Sequence, residues 1–248
     1  METICKCEKL TLQTDIPISN TESLDYMNVV LDGIIKSTKD YDQDQSFRAF
    51  LRPSGTEHAL RLYVEGPREE RVKLTTLRND LMSHIWKRYG SRTVVIRGET
   101  FTFRHLQARD LDKDVCSFYD VLSELSSLEK DKVTKNDSLF VLNQLSKQYY
   151  IFVVEHKDRI VGSGSLFIEQ KFLRTYGTVG HIEDIVVTNT CRGYGLGKRI
   201  IDFLTNLARD LECYKTILNC NDKNVAFYEK CGYAKKENQM VLYMKSSL

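Results

Sequence analysis

Two segments of this chain carry residue types and spacings that could handle a phosphate. Cys191-Arg192-Gly193-Tyr194-Gly195-Leu196-Gly197-Lys198 sits between a predicted strand and a predicted helix. Its glycines let the backbone approach a ligand and aim successive N–H groups at one point. The positive end of the following helix would favour a phosphate or pyrophosphate there, with Arg192 and Lys198 adding charge. The spacing misses the Walker A pattern, and the acidic ribose partner of the dinucleotide fingerprint is absent. Alone, such a cluster also reads as a plain turn at a helix start. The second segment is Arg52-Pro53-Ser54-Gly55-Thr56-Glu57. An arginine fork, two hydroxyls and a glycine-exposed backbone make a compact phosphate cradle.

The elements that must position these segments follow from periodicity. Leu24, Met27, Leu31, Ile34 and Ile35 predict a helix over residues 22–37. Leu60, Leu62 and Val64 alternate with Arg61 and Tyr63, which is strand patterning closed by Gly66-Pro67. Val72, Leu74, Leu77, Leu81, Ile85 and Trp86 predict an amphipathic helix over 68–89, ended by Gly90. This small α+β unit occupies residues 1–92. A second domain over 98–248 opens with a strand at 101–106 and helices over 111–128 and 138–145. Strands at 149–155 and 160–168 form a hairpin about His156-Lys157-Asp158-Arg159. A strand over 181–187, the glycine turn, a helix over 197–211, a strand over 215–219, a helix over 224–230 and a strand over 240–244 complete it.

Composition narrows the class. The chain has 248 residues, 42% of them apolar, three prolines and a formal net charge of +2, with no basic excess for a nucleic-acid footprint. No apolar run approaches the roughly 20 residues of a membrane span, and the N-terminus lacks a signal-peptide core. Seven cysteines without metal-ligand spacing read as reduced, mostly buried thiols in a cytoplasmic protein, with no metal.

Gly180-His181-Ile182-Glu183-Asp184-Ile185-Val186-Val187, Cys213-Tyr214-Lys215-Thr216-Ile217-Leu218 and Asn224-Val225-Ala226-Phe227-Tyr228-Glu229-Lys230-Cys231-Gly232-Tyr233 flank the glycine turn. From about Phe101 to Met244 the chain resembles the glucosamine-6-phosphate N-acetyltransferase family of the GCN5-related (GNAT) superfamily. The resemblance implies a mixed, mainly antiparallel sheet flanked by helices. It also implies acetyl transfer from acetyl-CoA to D-glucosamine 6-phosphate, a step of UDP-N-acetylglucosamine biosynthesis, in a homodimer. Carried over, Glu183 and Asp184 orient the amine, with Asp184 as its contact, and Tyr228 assists departure of the thiolate. A backbone N–H near Ile185 or Val186 polarises the thioester. The coenzyme is held by Ile185, Val186, Val187, Arg192, Gly193, Tyr194, Gly195, Leu196, Gly197, Lys198, Asn219 and Asn224. Ser126, Lys171, Phe172, Leu173, Arg174, Tyr214 and Lys215 face the phosphosugar. Two positions depart from the family, which commonly has aspartate at Asn219 and a basic residue at Tyr243. Lys245, two residues on along a strand, shares that face and could replace the latter.

Residues 20–90 resemble the last domain of phosphoacetylglucosamine mutase, whose loop grips a sugar phosphate through the equivalents of Arg52, Ser54, Gly55 and Thr56. The mutase's phosphoserine and metal-binding segments have no counterpart, so mutase activity is not implied. The unit would capture product, dock onto a mutase partner, or persist as a remnant kept for folding. The alternative to catalysis is a non-catalytic phosphosugar sensor or scaffold, and a third reading is acetyl transfer to another amine.

Overall fold

The computed structural model describes residues 9–17, 47–53, 59–89, 91–112, 117–145 and 148–242. The predicted helix over 22–37, the loop residues Ser54, Gly55 and Thr56, and Lys245 lie outside them. The N-terminal unit is an antiparallel three-stranded sheet of order β1-β3-β2, built from β1 (Lys9–Pro17), β2 (Arg48–Pro53) and β3 (Ala59–Pro67). Strand β1 was not apparent from the sequence. Ala49, Leu51, Leu62 and Val64 are buried, while Arg61, Tyr63 and Glu65 alternate outward. Helix α1 (Arg71–Tyr89) lays Leu74, Leu77, Leu81, Met82 and Ile85 on that buried face. Val72, expected on the apolar stripe, is instead exposed.

The larger sheet has six strands in sequence order: β4 (Ser91–Ile96), β5 (Glu99–His105), β6 (Tyr149–His156), β7 (Arg159–Gln170), β8 (Thr178–Val187) and β9 (Cys213–Ile217). All neighbours are antiparallel except β8 and β9, giving the expected mixed, mainly antiparallel sheet. The polar stretch behind Gly90 is therefore a strand of this sheet. The predicted hairpin forms between β6 and β7, with Lys157 and Asp158 at φ of 49° and 60°.

Strand β7 is buried along most of its length because helices cover both faces. On one face α4 (Leu196–Asp210) contributes Leu196, Ile200, Ile201, Leu204 and Leu207 to the main core, which also contains the apolar face of α1. On the other face, α2 (Phe118–Ser123) and α3 (Lys135–Gln144) cover Val153 and Ile160. The single helix predicted over 111–128 is thus much shorter. The Ser123 hydroxyl donates to the Tyr119 carbonyl at 2.7 Å, a local bond that competes with helix propagation, and Ser126 and Ser127 follow. Arg104 anchors the entry to this face. Its guanidinium grips Asp110 at 2.6 and 2.8 Å and Glu155 at 2.8 Å, with both Arg104 and Asp110 buried.

Helix α5 (Val225–Lys230) closes the described part, and Met240–Leu242 are in no strand. A strand exists only where another pairs with it, and no described strand pairs with these residues. Of the described cysteines only Cys191 is buried, while Cys213 and Cys231 are half-buried and Cys220 is exposed, against the expectation of mostly buried thiols. No helix among the described residues is long and apolar enough to cross a membrane. Among the described residues no three His, Cys, Asp or Glu side chains converge as a metal site would require.

Candidate functional site

The site grows from an irregularity in β8. Its register against β7 slips between Ser163 and Ser165, so that Val186 faces Ser163 while Glu183 faces Ser165. Strand β8 therefore carries an extra residue, a β-bulge, at Asp184-Ile185. Asp184 takes a φ of 55°, in the left-handed region that a non-glycine residue adopts only when held there. Gly164 lies opposite the bulge. A Cβ on it would stand 2.5 Å from Ile185 Cδ1 and 2.7 Å from Ile200 Cγ2, so any side chain there would have to push Ile185 and Ile200 aside. On its other edge β8 pairs with β9 only as far as His181↔Ile217. The two strands part just where the acidic pair begins.

Glu183 is half-buried and Asp184 exposed. Burial first, and the neighbouring Asp184 second, push the Glu183 carboxyl above its ordinary pKa, with His181 opposing. The Ser165 hydroxyl donates to the Glu183 carbonyl at 3.2 Å and is itself met by the Tyr149 hydroxyl at 3.3 Å. Asp184, Ser163 and Ser165 are among the polar residues lining a cavity of about 400 Å³ whose apolar walls include Leu106, Val141 and Ile151. The sequence held no pattern for the cavity or the hydroxyl chain. The small-residue run Ser163-Gly164-Ser165 was the available signal.

Tyr228, on α5, is half-buried, with its ring edge-on to Phe227 and Tyr233. Burial raises its pKa, and the nearby Cys220, Cys231 and Glu183 add to the rise. The phenol therefore stays protonated at neutral pH. The Tyr233 hydroxyl bonds Thr205 on α4 and Thr216 on β9, each at 2.9 Å, which ties the segment behind α5 to both elements. Asn224 occupies the cap position of α5 without a side-chain capping bond, and Asn219 lies exposed just beyond β9.

The glycine turn leads from β8 into α4. Gly193 and Gly195 take φ of 86° and 72°, and Gly195 is the left-handed residue that starts the helix. The first bond of the helix runs from the Arg199 N–H to the Gly195 carbonyl, so the N–H groups of Leu196, Gly197 and Lys198 point off the helix end. Tyr194 fastens the turn to the sheet, its ring 5.3 Å from Phe101 and under the Arg97 guanidinium at 5.8 Å. Arg192 is exposed and 3.9 Å from Glu124, which also accepts the Asn189 N–H at 2.9 Å. Lys198 pairs with Asp202 at 2.8 Å. Leu196 is core, and Val186 is buried beside half-buried Ile185 and Val187.

The expected phosphate residues divide into two groups. Arg174 and Lys215 both reach the Tyr214 ring, at 5.7 and 5.9 Å, so these three come together. Lys171 instead pairs with Glu169, which His181 also holds at 2.9 Å. Bonds from Lys171 and then His181 keep the Glu169 carboxyl below its ordinary pKa. Sequence reasoning missed this triad because hairpin register, not spacing, unites it. Phe172 and Leu173 are 93% and 76% exposed, and Arg174, Thr175 and Tyr176 are all left-handed. Ser126 is exposed behind α2. In the N-terminal unit, Arg52 lies over the stacked rings of Phe50 and Tyr63, at 5.1 and 5.9 Å.

Comparison with known proteins gives two family matches. The acetyltransferase (GNAT) family matches residues 116–233, and the phosphoglucomutase/phosphomannomutase C-terminal domain matches residues 19–80. Glucosamine 6-phosphate N-acetyltransferase 1 of Dictyostelium discoideum is 43% identical over 148 residues, covering 58% of this chain and 90% of that protein. Glucosamine 6-phosphate N-acetyltransferase of Arabidopsis thaliana is 38% identical over 148 residues, covering 58% of this chain and 97% of its own length. A crystal structure of the Arabidopsis thaliana glucosamine-6-phosphate N-acetyltransferase superposes with a TM-score of 0.54 at 37% identity. It covers 59% of this chain and 100% of that one.

Proposed function

This chain belongs to the glucosamine 6-phosphate N-acetyltransferase family, and from that premise we propose that it moves the acetyl group of acetyl-CoA to the amine of D-glucosamine 6-phosphate. The products are N-acetyl-D-glucosamine 6-phosphate and CoA. The bulged, parted strand β8 carries the reading, because it joins an acidic pair to a cavity on one side and to a phosphate-ready helix start on the other.

Each group has a task in this reading. The N–H groups of Gly193 to Lys198, with Arg192, hold the pyrophosphate of the coenzyme, and Asn219 and Asn224 lie along its path. An N–H at Ile185 or Val186, freed where β8 leaves β9, stabilises the oxyanion. Asp184 orients the amine, and Glu183, its pKa already raised, takes the proton that the ammonium must lose. The C–N bond forms, the C–S bond breaks, and Tyr228 gives its proton to the departing thiolate. Arg174, Tyr214 and Lys215 receive the 6-phosphate. Lys171 joins them once it leaves Glu169, with Ser126, Phe172, Leu173 and Lys245 completing the acceptor side.

A homodimer suits the acceptor side. Phe172, Leu173, Tyr176 and Tyr214 are exposed apolar side chains, and among the described residues β9 is a sheet edge and Met240–Leu242 have no pairing strand. Free Cys213, Cys220 and Cys231 suit the reducing cytoplasm. The face around Arg52 is a candidate docking surface for a mutase, on the likeness of residues 19–80. Mass-spectrometric detection of the N-acetylated phosphosugar after incubation with acetyl-CoA tests the reaction, and acetylation of a protein amine instead would contradict it.

A further inference from the structure

The two family matches are separate in sequence, at residues 19–80 and 116–233, yet their elements share one core. Leu74, Leu77, Leu81 and Ile85 of α1 lie in the same buried cluster as Phe101, Phe103 and Phe152 of the larger sheet. Two polar contacts are built into this apolar junction. Tyr150, 2% exposed, shares a hydrogen bond with Ser83, and burial pushes its phenol up to about 12. Arg78, 4% exposed, bonds Asn79 and sends Nη1 to Glu212 Oε1 at 3.1 Å. A buried guanidinium needs such partners, since an unpaired charge in this setting is strongly unfavourable.

Glu212 is a junction of three elements. Its side chain reaches α1, and its N–H donates to the Arg209 carbonyl at the end of α4. Its carbonyl accepts from Thr178 Oγ1, the first residue of β8, at 3.2 Å. Its own φ of 58° lies in the left-handed region, a conformation that persists only where the surroundings fix it. Strand β9 starts at the next residue and carries Tyr214 and Lys215.

We propose that Arg78 is a positioning residue for the acceptor site: through Glu212, the mutase-like unit sets where β8 and β9 begin, and so aims Tyr214 and Lys215. This rests on the acetyltransferase reading, and the unit thereby serves catalysis without any mutase chemistry of its own.

The test uses the full chain with Arg78→Met, Arg78→Lys, Glu212→Gln and the double variant Arg78→Met/Glu212→Gln. Arg78→Met and Glu212→Gln should each raise KM for glucosamine 6-phosphate about tenfold, in the range of energies that coupling residues carry. KM for acetyl-CoA and kcat should stay near wild type. The double variant should be no worse than either single, as for two ends of one interaction, and Arg78→Lys should retain most function. Amide hydrogen exchange over residues 213–217 should quicken in Arg78→Met. Unchanged KM for the sugar, or a uniform loss of kcat and both KM values alongside lower Tm, would overturn the proposal. If the wild-type chain leaves glucosamine 6-phosphate untouched, the functional reading has failed separately. Quickened exchange in β9 would then still support the brace, and unchanged exchange would sink it.

Discussion

Tyr228 meets the requirement for an acid: burial and the surrounding Cys220, Cys231 and Glu183 all favour its neutral form. Removing only the hydroxyl, by Tyr228→Phe, should slow kcat roughly 10²-fold, the usual scale of lost acid assistance, with little change in KM. Full activity in that variant would remove Tyr228 from the mechanism. In the proposed mechanism Glu183 has the opposite duty. Because its carboxyl titrates above the ordinary range, the acidic limb of the rate against pH should lie higher than for a solvent-exposed glutamate. Asp184 contributes to that rise, so Asp184→Asn should move the limb to lower pH as well as slow the reaction. A limb that stays in place would show that Glu183 is not the group titrating. At this scale the sequence was informative wherever chemistry restricts residue type. Gly193 and Gly195 take backbone angles that side chains disfavour, and they stood out before any coordinates. The Glu169 triad with Lys171 and His181 did not, because only the pairing of β7 with β8 brings it together.

Among the elements, β8 and the helices on its two faces set the geometry. The Arg104–Asp110–Glu155 cluster holds the chain where it enters the α2 face. Arg104→Met leaves two carboxylates facing each other, one of them buried, and should destabilise the fold by about 3–5 kcal/mol in denaturant unfolding. A loss under ~1 kcal/mol would show that water replaces the guanidinium easily. Most element types followed from periodicity, including the hairpin of β6 and β7 and the amphipathic α1. The helix predicted over 111–128 is short among the described residues because Ser117 bonds the Ile160 backbone instead of extending the helix, and Ser123 bonds back to the Tyr119 carbonyl at its end. Of the strand expected over 240–244, Met240–Leu242 pair with no strand among the described residues, and the other two positions lie outside them.

At the scale of the whole molecule, two units that read as separate in sequence form one core, since apolar periodicity reports that a face is buried and not what buries it. The exposed side chains at Phe172, Leu173, Tyr176 and Tyr214 are the surface on which the proposed homodimer is tested. Light scattering should give twice the chain mass, and Phe172→Glu with Leu173→Glu should return the monomer and weaken phosphosugar binding. A monomeric wild type would place the whole acceptor site in one chain. The central claim is most directly tested by CoA release from acetyl-CoA with glucosamine 6-phosphate and unphosphorylated glucosamine in parallel. Fast release with the phosphosugar and little with glucosamine is the predicted result. Equal rates would contradict the role of the basic cluster, and silence with both would contradict acetyl transfer to this amine.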